Sequence, residues 1–565
     1  MKKYFQQFFQ PCKYMGLGMK LFISTSIFIL ALPVYNYSQH FISEWTVQSE
    51  SGFWELASDF TIADSNNIFL AGNYYGNSTI KRADATHIES NNADSKNSGS
   101  IPADSIPAIS NANQNMFVAR FDQNGNAIWV NHYTAEGYVH ISTIKSSGRA
   151  VYVAGYFKEN LDFGEIKLKA NHKGTAFVAK LDFSGKMYWA VQIAGDFVGQ
   201  KLFVIPQENK NVIIAGSFAN SICLKDTIAI ANSFGINIFA VLLDSAGGIT
   251  KSIASAGAGK SILTAAITDK QGNLYLGGSF DNTILIGNKA MQSIGKNDGY
   301  IFCFDKGFEP RYSKQIGSIY KDDLQGLAID NMNNLIAIGG YSEEISTLGI
   351  KFPAIIGNMD VFIVKIDPFG NPVWVDGFGS SANDYATGIA ASYSGKIFIS
   401  GSSRGAIKKE NFTTTANHAG SNLFIAKYSA DGVLKLLDTL GVNRTNFNRK
   451  IEIDNEGYLI MSGNFHKTYM DEKGEIPKVN PDNFHLTKLF DCDSQKTIQI
   501  PSDTTICGTS ISITVDSSFT TYNWNIGSKT NHITIDTTGA YILTVTDKFG
   551  CTSNDTIHVV VNQLP

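Results

Sequence analysis

The sequence predicts an all-β chain: a seven-bladed β-propeller with four-stranded blades, followed by a small Ig-like β-sandwich. Three observations lead there. A strand closing on Gly recurs seven times at a nearly constant period. A strand–turn–strand signature follows it in most copies. After Cys492 both stop, and short, alternating, Thr-rich strands take over.

The recurring Gly is Gly72, Gly155, Gly216, Gly278, Gly340, Gly401 and Gly463, as in "LYLGGSF" and "YLIMSGNF". The spacings are 83, 61, 62, 62, 61 and 62, and a constant period marks a repeat architecture. The first spacing is long by 83 − 62 = 21 residues. That excess falls in Lys81–Asn115, a Ser/Asn/Ala/Asp stretch with little to bury and expected to be disordered. The second signature reads "FVARFDQNGNAIW" (Phe117–Trp129), "FVAKLDFSGKMYW" (Phe177–Trp189) and "FIVKIDPFGNPVW" (Phe362–Trp374).

Within residues 386–441 four short strands appear: "ATGIAASY", "KIFISGS", "NLFIAKYS" and "VLKLLDTL". All are β-branched or aromatic, with turn residues between them. Four antiparallel strands in each of seven units give the propeller. The period exceeds the common blade length of about 40–50 residues, so the blades carry long loops. The last copy has "NFHLTKLF" as its third strand and no fourth before Cys492. "FISEWTVQ" (residues 41–48) looks like the fourth strand "NAIWVNHY" and is expected to complete that blade, removing two exposed edges.

Local chemistry explains the repeated residues. Asp at the head of a D-x-x-G turn accepts hydrogen bonds from backbone N–H groups further on. The turn Gly supplies positive φ. The strand-closing Gly admits close backbone approach or a bulge. Calcium-loop spacing, D-x-D-x-D-G, is absent.

In such a meander both D-x-x-G turns lie at one end of each blade. The 2–3 loops and blade-to-blade links share the other end, and binding concentrates on such loops. Tyr133, Tyr138, Tyr320, Tyr385 and Phe447 fall in the links and are the candidate binding aromatics; each also fits as a packing wedge between blades. Asp322, Asp323 and Asp384 lie in the same links. Carboxylates gathered from several blades serve propeller enzymes, and solvated loop charges explain them equally well.

The bulk numbers exclude some classes. With 46 basic and 50 acidic residues the net charge is −4, which gives no field for nucleic acid or an anionic membrane. Charged residues are only 17% of the chain, as suits a polar extracellular β protein. Lys20 followed by the apolar run Leu21–Val34 reads as a signal-peptide core within residues 1–39, so the chain is expected to be secreted or displayed on the outer cell surface, with no transmembrane segment after cleavage. Cys12 leaves with that peptide, and the remaining five cysteines leave at least one unpaired within the chain. The states of Cys223, Cys303 and Cys492 stay open.

The propeller is assigned to residues 40–492 and the sandwich to 493–565. In the latter, Cys507 and Cys551 flank Trp524. A disulfide between them closes a loop worth roughly 4 kcal/mol in the chain-entropy model.

Two resemblances add to this. "GNLYLGG" (Gly272–Gly278) and Phe177–Trp189 resemble the propeller-like SBBP repeats of bacterial secreted proteins, over about residues 41–492. "TTIC", "YNWNIG", "GAYILTVTD" and "GC" are similar to PKD-like/Ig-like surface modules of Bacteroidetes type. The first implies architecture and says nothing on activity; the second implies spacing, display or binding. Proteins of that group often add a C-terminal domain for type IX secretion, and none is read before Pro565.

No metal-site or phosphate-loop motif appears: no H-E-x-x-H, C-x-x-C or P-loop occurs. The expectation is a non-enzymatic binding or scaffold protein, without cofactor or metal, whose link face meets an extracellular protein or glycan. The alternatives are a polysaccharide hydrolase or lyase with its site in the propeller funnel, and a passive spacer.

Overall fold

The computed structural model describes residues 41–51, 55–74, 78–83, 114–170, 175–207, 210–224, 227–345, 347–410, 412–414, 421–440, 447–464, 484–491, 498, 500–507, 509–515, 517, 519–546 and 552–562. The expected leader lies outside them. Every regular element among them is a strand, and none is a helix able to cross a membrane.

The repeats fold as antiparallel meanders. Ser261–Thr268, Leu274–Phe280, Asp298–Phe304 and Pro310–Ile316 form one four-stranded sheet. Asp323–Ile329, Leu335–Tyr341, Asp360–Ile366 and Pro372–Phe378 form the next, and Asp384–Ala391, Ile397–Ser403, Asn422–Tyr428 and Leu434–Leu440 another. The middle strands of the latter two sheets are buried along their whole length. A strand covered on both faces needs a continuous apolar run, which is why "LIAIGGY" and "NLFIAKY" do not alternate.

First strands pack side by side in a circuit. Glu55–Ile62 meets Val139–Ser147, which meets Met187–Pro206; Ser261–Thr268, Asp323–Ile329, Asp384–Ala391 and Phe447–Ile453 follow in turn, and the last returns to Glu55–Ile62. The arrangement is propeller-like. Met187–Pro206 serves two repeats and joins them in one nine-stranded sheet, its first part pairing with Thr175–Asp182 and its end with Val212–Leu224. Beside Phe484–Asp491 runs Phe41–Ser51, antiparallel, with Phe41 opposite Asp491 and Gln48 opposite His485.

Most first strands carry one extra residue opposite the recurring Gly. The register skips between Ile141 and Thr143, Leu263 and Ala265, Leu324 and Gly326, Ala386 and Gly388, and Asn448 and Lys450. At the bulge a carbonyl leans into the neighbouring strand: a β-carbon on Gly278 would lie 1.9 Å from the Ile262 oxygen, and one on Gly401 2.1 Å from that of Tyr385. In the repeat that reads "IAIGGYS" this place belongs to Gly339, whose β-carbon would lie 1.9 Å from the Asp323 oxygen, and not to Gly340 as the spacing suggested. Aromatic rings of the third strands cover the bare glycines, Tyr300 over Gly278 and Phe362 over Gly339.

The expected insertion needs correcting at both ends. Ser78–Ala83 is a strand that pairs with Phe41–Ser51, and Asn115 is buried at the start of Asn115–Phe121. Residues 84–113 lie outside the described residues.

In the C-terminal part, Thr504–Cys507, Thr552–Asn562, Gly539–Thr546 and Thr521–Trp524 make one sheet, and Ile511–Thr514 pairs with His532–Ile535 in a second. Trp524 is buried among Ile513, Ile533 and Leu543 and donates its indole N–H to the Thr530 oxygen. The two small sheets share one apolar core. Cys551 and the Cys507 side chain lie outside the described residues, so the expected disulfide does too.

Candidate functional site on the link face

The two ends of the sheets are built differently. At the turn end, Asp269 Oδ1 accepts the Gln271 and Asn273 amides at 3.0 and 2.8 Å, and the Gly272 amide bonds the Asp269 oxygen. Gly272 has φ +81°. The same pattern recurs at Asp122, Asp182, Asp244, Asp330, Asp367 and Asp454. Two fourth-strand Trp residues then fasten their sheets to the next: Trp129 N–H bonds the Phe183 oxygen at 3.0 Å, and Trp374 that of Ala430 at 3.2 Å. Third-strand lysines lock two of the turns through buried pairs, Lys365–Asp330 at 2.8 Å and Lys488–Asp454 at 3.1 Å. The polar groups of these turns and pairs are used for construction.

At the link end the structure divides the candidates. Tyr133 is core: it packs edge-on against Phe163 at 5.0 Å, accepts an N–H from Asn131, and burial pushes its phenol up to about 12. Tyr138 is half-buried, stacked on His140. Asp322 and Asp384 are fully buried and close their own links: Ser318 N–H donates to Asp322 Oδ2, and Ser380 N–H to Asp384 Oδ2, each at 2.5 Å. Asp323 is buried too, accepting the Gly340 amide and facing Lys321 at 3.3 Å. Tyr320 and Tyr385 are open to solvent, 49% and 38% exposed. Phe447 begins a strand, and its side chain lies outside the described residues.

Around Tyr320 an apolar ridge forms that sequence reading missed. Ile319 is 61% exposed and Ile294 51%. A β-carbon on Gly295 would touch the Ile319 backbone, and Lys296 N–H bonds the Tyr320 oxygen, so the segment 294–297 lies along 319–321. Ile356, 52% exposed, sits in the equivalent place one repeat later, beside Gly357 and Ala382.

Several long 2–3 loops turn out to be clasps. The hairpin Asn160–Asp162/Lys167–Lys169 pairs onto the preceding fourth strand at Thr134–Glu136 and buries Leu161, Phe163 and Leu168. Thr283–Ile286/Lys289–Gln292 does the same at Ser255 and Ala256. The signal was present in the apolar alternation of "NLDFGEIKLK".

Facing the circuit's interior, Lys450 bridges Asp59 at 2.9 Å and Glu452 at 2.7 Å, while Lys145 holds Glu452 at 3.0 Å. Burial opposes the Glu452 charge, but the two lysines outweigh it and bring the carboxyl down to about 2. These four side chains come from three neighbouring first strands and tie the last repeat to the first two. Among the described residues no three His, Cys, Asp or Glu side chains are grouped to hold a metal. Cys223 and Cys303 are free thiols, the latter buried. On the C-terminal module a shallow groove of about 460 Å³ is lined by Thr521, Asn523, Lys529, Thr544 and Thr546.

No protein-family model matches the chain, and no curated protein does. Among solved structures it is similar to the WD40 domain of Neurospora crassa Pan2, at 10% identity and a TM-score of 0.30, covering 61% of this chain and 86% of that one. A glucose dehydrogenase gives 10% identity and 0.28, covering 66% and 92%. Drosophila Semaphorin 2a gives 9% identity and 0.20, covering 90% and 86%.

Proposed function

We propose that the chain is a secreted or cell-surface, non-enzymatic binding protein: a seven-bladed propeller of SBBP type carrying a PKD-like/Ig-like module. Its ligand is an extracellular protein or glycan that meets the link face. The observation that carries this reading is the contrast between exposed Ile319, Tyr320 and Tyr385 and the buried Asp322 and Asp384 around them. Apolar side chains held open on a rigid support suit recognition. Carboxylates committed to backbone N–H groups are poorly placed to move protons on a substrate.

The test is an array of glycans and extracellular proteins probed with the chain from residue 40 onward and with Ile319→Glu and Tyr320→Ala variants. Binding that both variants weaken supports the reading. Binding that survives both, or saccharide cleavage by the chain, contradicts it.

A further inference from the structure

Four buried carboxyls stand beneath the link face in two matching pairs. Asp298 and Asp322 make one; Asp360 and Asp384, each 62 residues further on, make the other. All four are at most 1% exposed. The partners repeat as well. Asp298 Oδ2 accepts the Ile294 amide at 2.9 Å, and Asp360 Oδ2 that of Ile356 at 2.6 Å. Asp322 takes both the amide and hydroxyl of Ser318, and Asp384 both of Ser380. Gly317 and Gly379 leave room for the pairs: a β-carbon on either would lie 2.3 Å from the Asp298 or Asp360 carboxyl carbon.

No cation compensates these charges among the described ion pairs. The charged side chains on the adjoining segments are Lys296, Lys321, Asp323 and Glu343 around the first pair, and Asp376, Lys409 and Arg404 around the second. Lys321 is held by Asp323, and Lys409 by Asp376. Tyr341 also faces Asp360. Asp298 Oδ1 is buried and meets no hydrogen-bond donor. Two carboxylates sharing such a site do not both ionise cheaply.

Nor does the architecture require acids there. At the place of Asp298 and Asp360 four other repeats bury Asn115, Thr175, Asn237 and Asn422. At the place of Asp322 and Asp384 another repeat has Ser261. Neutral side chains occupy the same buried places.

We propose that these two pairs are a proton-operated latch on the link face: with a proton on each pair the links Gly317–Asp322 and Gly379–Asp384 are held closed, and loss of those protons to solvent loosens them. The Ile319–Tyr320 ridge rides on the first link, so its presentation follows pH; that consequence, though not the latch, rests on the binding reading above. Burial, with the facing carboxyl adding to it, raises Asp384 from 3.8 to about 6 and raises Asp322; burial raises Asp360. A folded-state value above the unfolded one gives stability that is complete below about pH 4 and lost as pH rises through about 6.

Hydrogen exchange on the full chain tests this without any ligand. Corrected for intrinsic rates, protection of the Ser380 amide is expected to fall between pH 4.5 and 7, by up to ~100-fold as Asp384 loses its proton near 6, and protection of the Ser318 amide is expected to fall in the same direction. Amides of the turn Asp269–Asn273 serve as the reference and stay level. In Asp322→Asn/Asp384→Asn the links are expected to remain protected at both pH values. Asp360→Asn alone, a milder change, is expected to lower the midpoint of the Ser380 transition. A level pH profile in the natural chain, or an undiminished fall in the Asn variants, overturns the latch; neither bears on whether the ridge binds a ligand.

Discussion

The indole of Trp45 lies against Gly125: a β-carbon there would come 2.7 Å from the ring, and the indole N–H donates to the Gln123 oxygen at 3.0 Å. Trp374 stands on Gly432 in the same way, with its N–H on Ala430. Trp45 belongs to the N-terminal strand, yet it does the work of a fourth-strand Trp toward the first repeat. The beginning of the chain thus supplies the last repeat with both its missing strand and its fastening. Trp45→Ala is expected to lower stability by about 3–5 kcal/mol, as for large buried aromatics. Gly125→Ala is expected to cost about 1–3 kcal/mol, since the ring must move and φ is +78°. Urea unfolding monitored by circular dichroism checks both.

Gly339 and Gly340 are neighbours with different duties. Gly339→Ala drives a methyl into a backbone carbonyl and is expected to destabilise by more than about 3 kcal/mol. Gly340→Ala meets Met359 Sδ at 3.0 Å, the end of a flexible side chain, and is expected to cost about 1 kcal/mol. Equal midpoints for the two variants in thermal unfolding would show that the bulge is misplaced.

Tyr133 and Tyr320 read alike in the sequence, and their substitutions should separate. Tyr133→Ala removes a ring packed on Phe163 and is expected to cost about 3 kcal/mol. Tyr320→Ala is expected to stay within about 0.5 kcal/mol of the natural chain. Calorimetry of both variants is the check.

The interior ion network joins the repeats that meet at the closure. Glu452 titrates near 2 instead of 4.5, so its contribution is present above about pH 4.5 and lost as pH falls through about 2. Lys450→Met leaves Asp59 and Glu452 facing each other. The side chains are about a fifth exposed, which brings the expected cost down to about 2–3 kcal/mol. The variant should also lose much of the acid-side slope in a stability–pH profile. An unchanged slope would assign it to other carboxyls, such as Asp491 between Lys396 and Lys427.

What the sequence displayed and what it concealed have separate physical causes. Backbone demands were legible, because Asp and Gly suit these turns best, even though Ser392, Ser429 and Asn333 serve in some copies, and because only Gly admits the carbonyl at a bulge. The choice between Gly339 and Gly340 was not, since either fits the period. Burial of Asp322 and Asp384 was hidden because a carboxylate in a link reads as solvated. Asp298 and Asp360 escaped notice altogether, although Asn115, Asn237 and Asn422 at the same place mark a position that wants a buried hydrogen-bonding side chain. The clasps were hidden because the alternation of Leu161, Phe163 and Leu168 is too short, inside a long loop, to mark a paired hairpin.

Ring closure by the N-terminal strand is tested most directly by cross-linking. Thr46 lies opposite Thr487, and Met461 is one strand further on, opposite Thr487 from the other side. Adjacent antiparallel residues are about 4.5–5.5 Å apart, within disulfide reach, whereas two strands apart exceeds the roughly 7 Å limit. Thr46→Cys with Thr487→Cys should oxidise to an intramolecular disulfide, seen as a faster non-reduced band and a bridged peptide by mass spectrometry. Thr46→Cys with Met461→Cys should not. Bridging in neither protein, or equally in both, would contradict a circuit joined through residues 41–51.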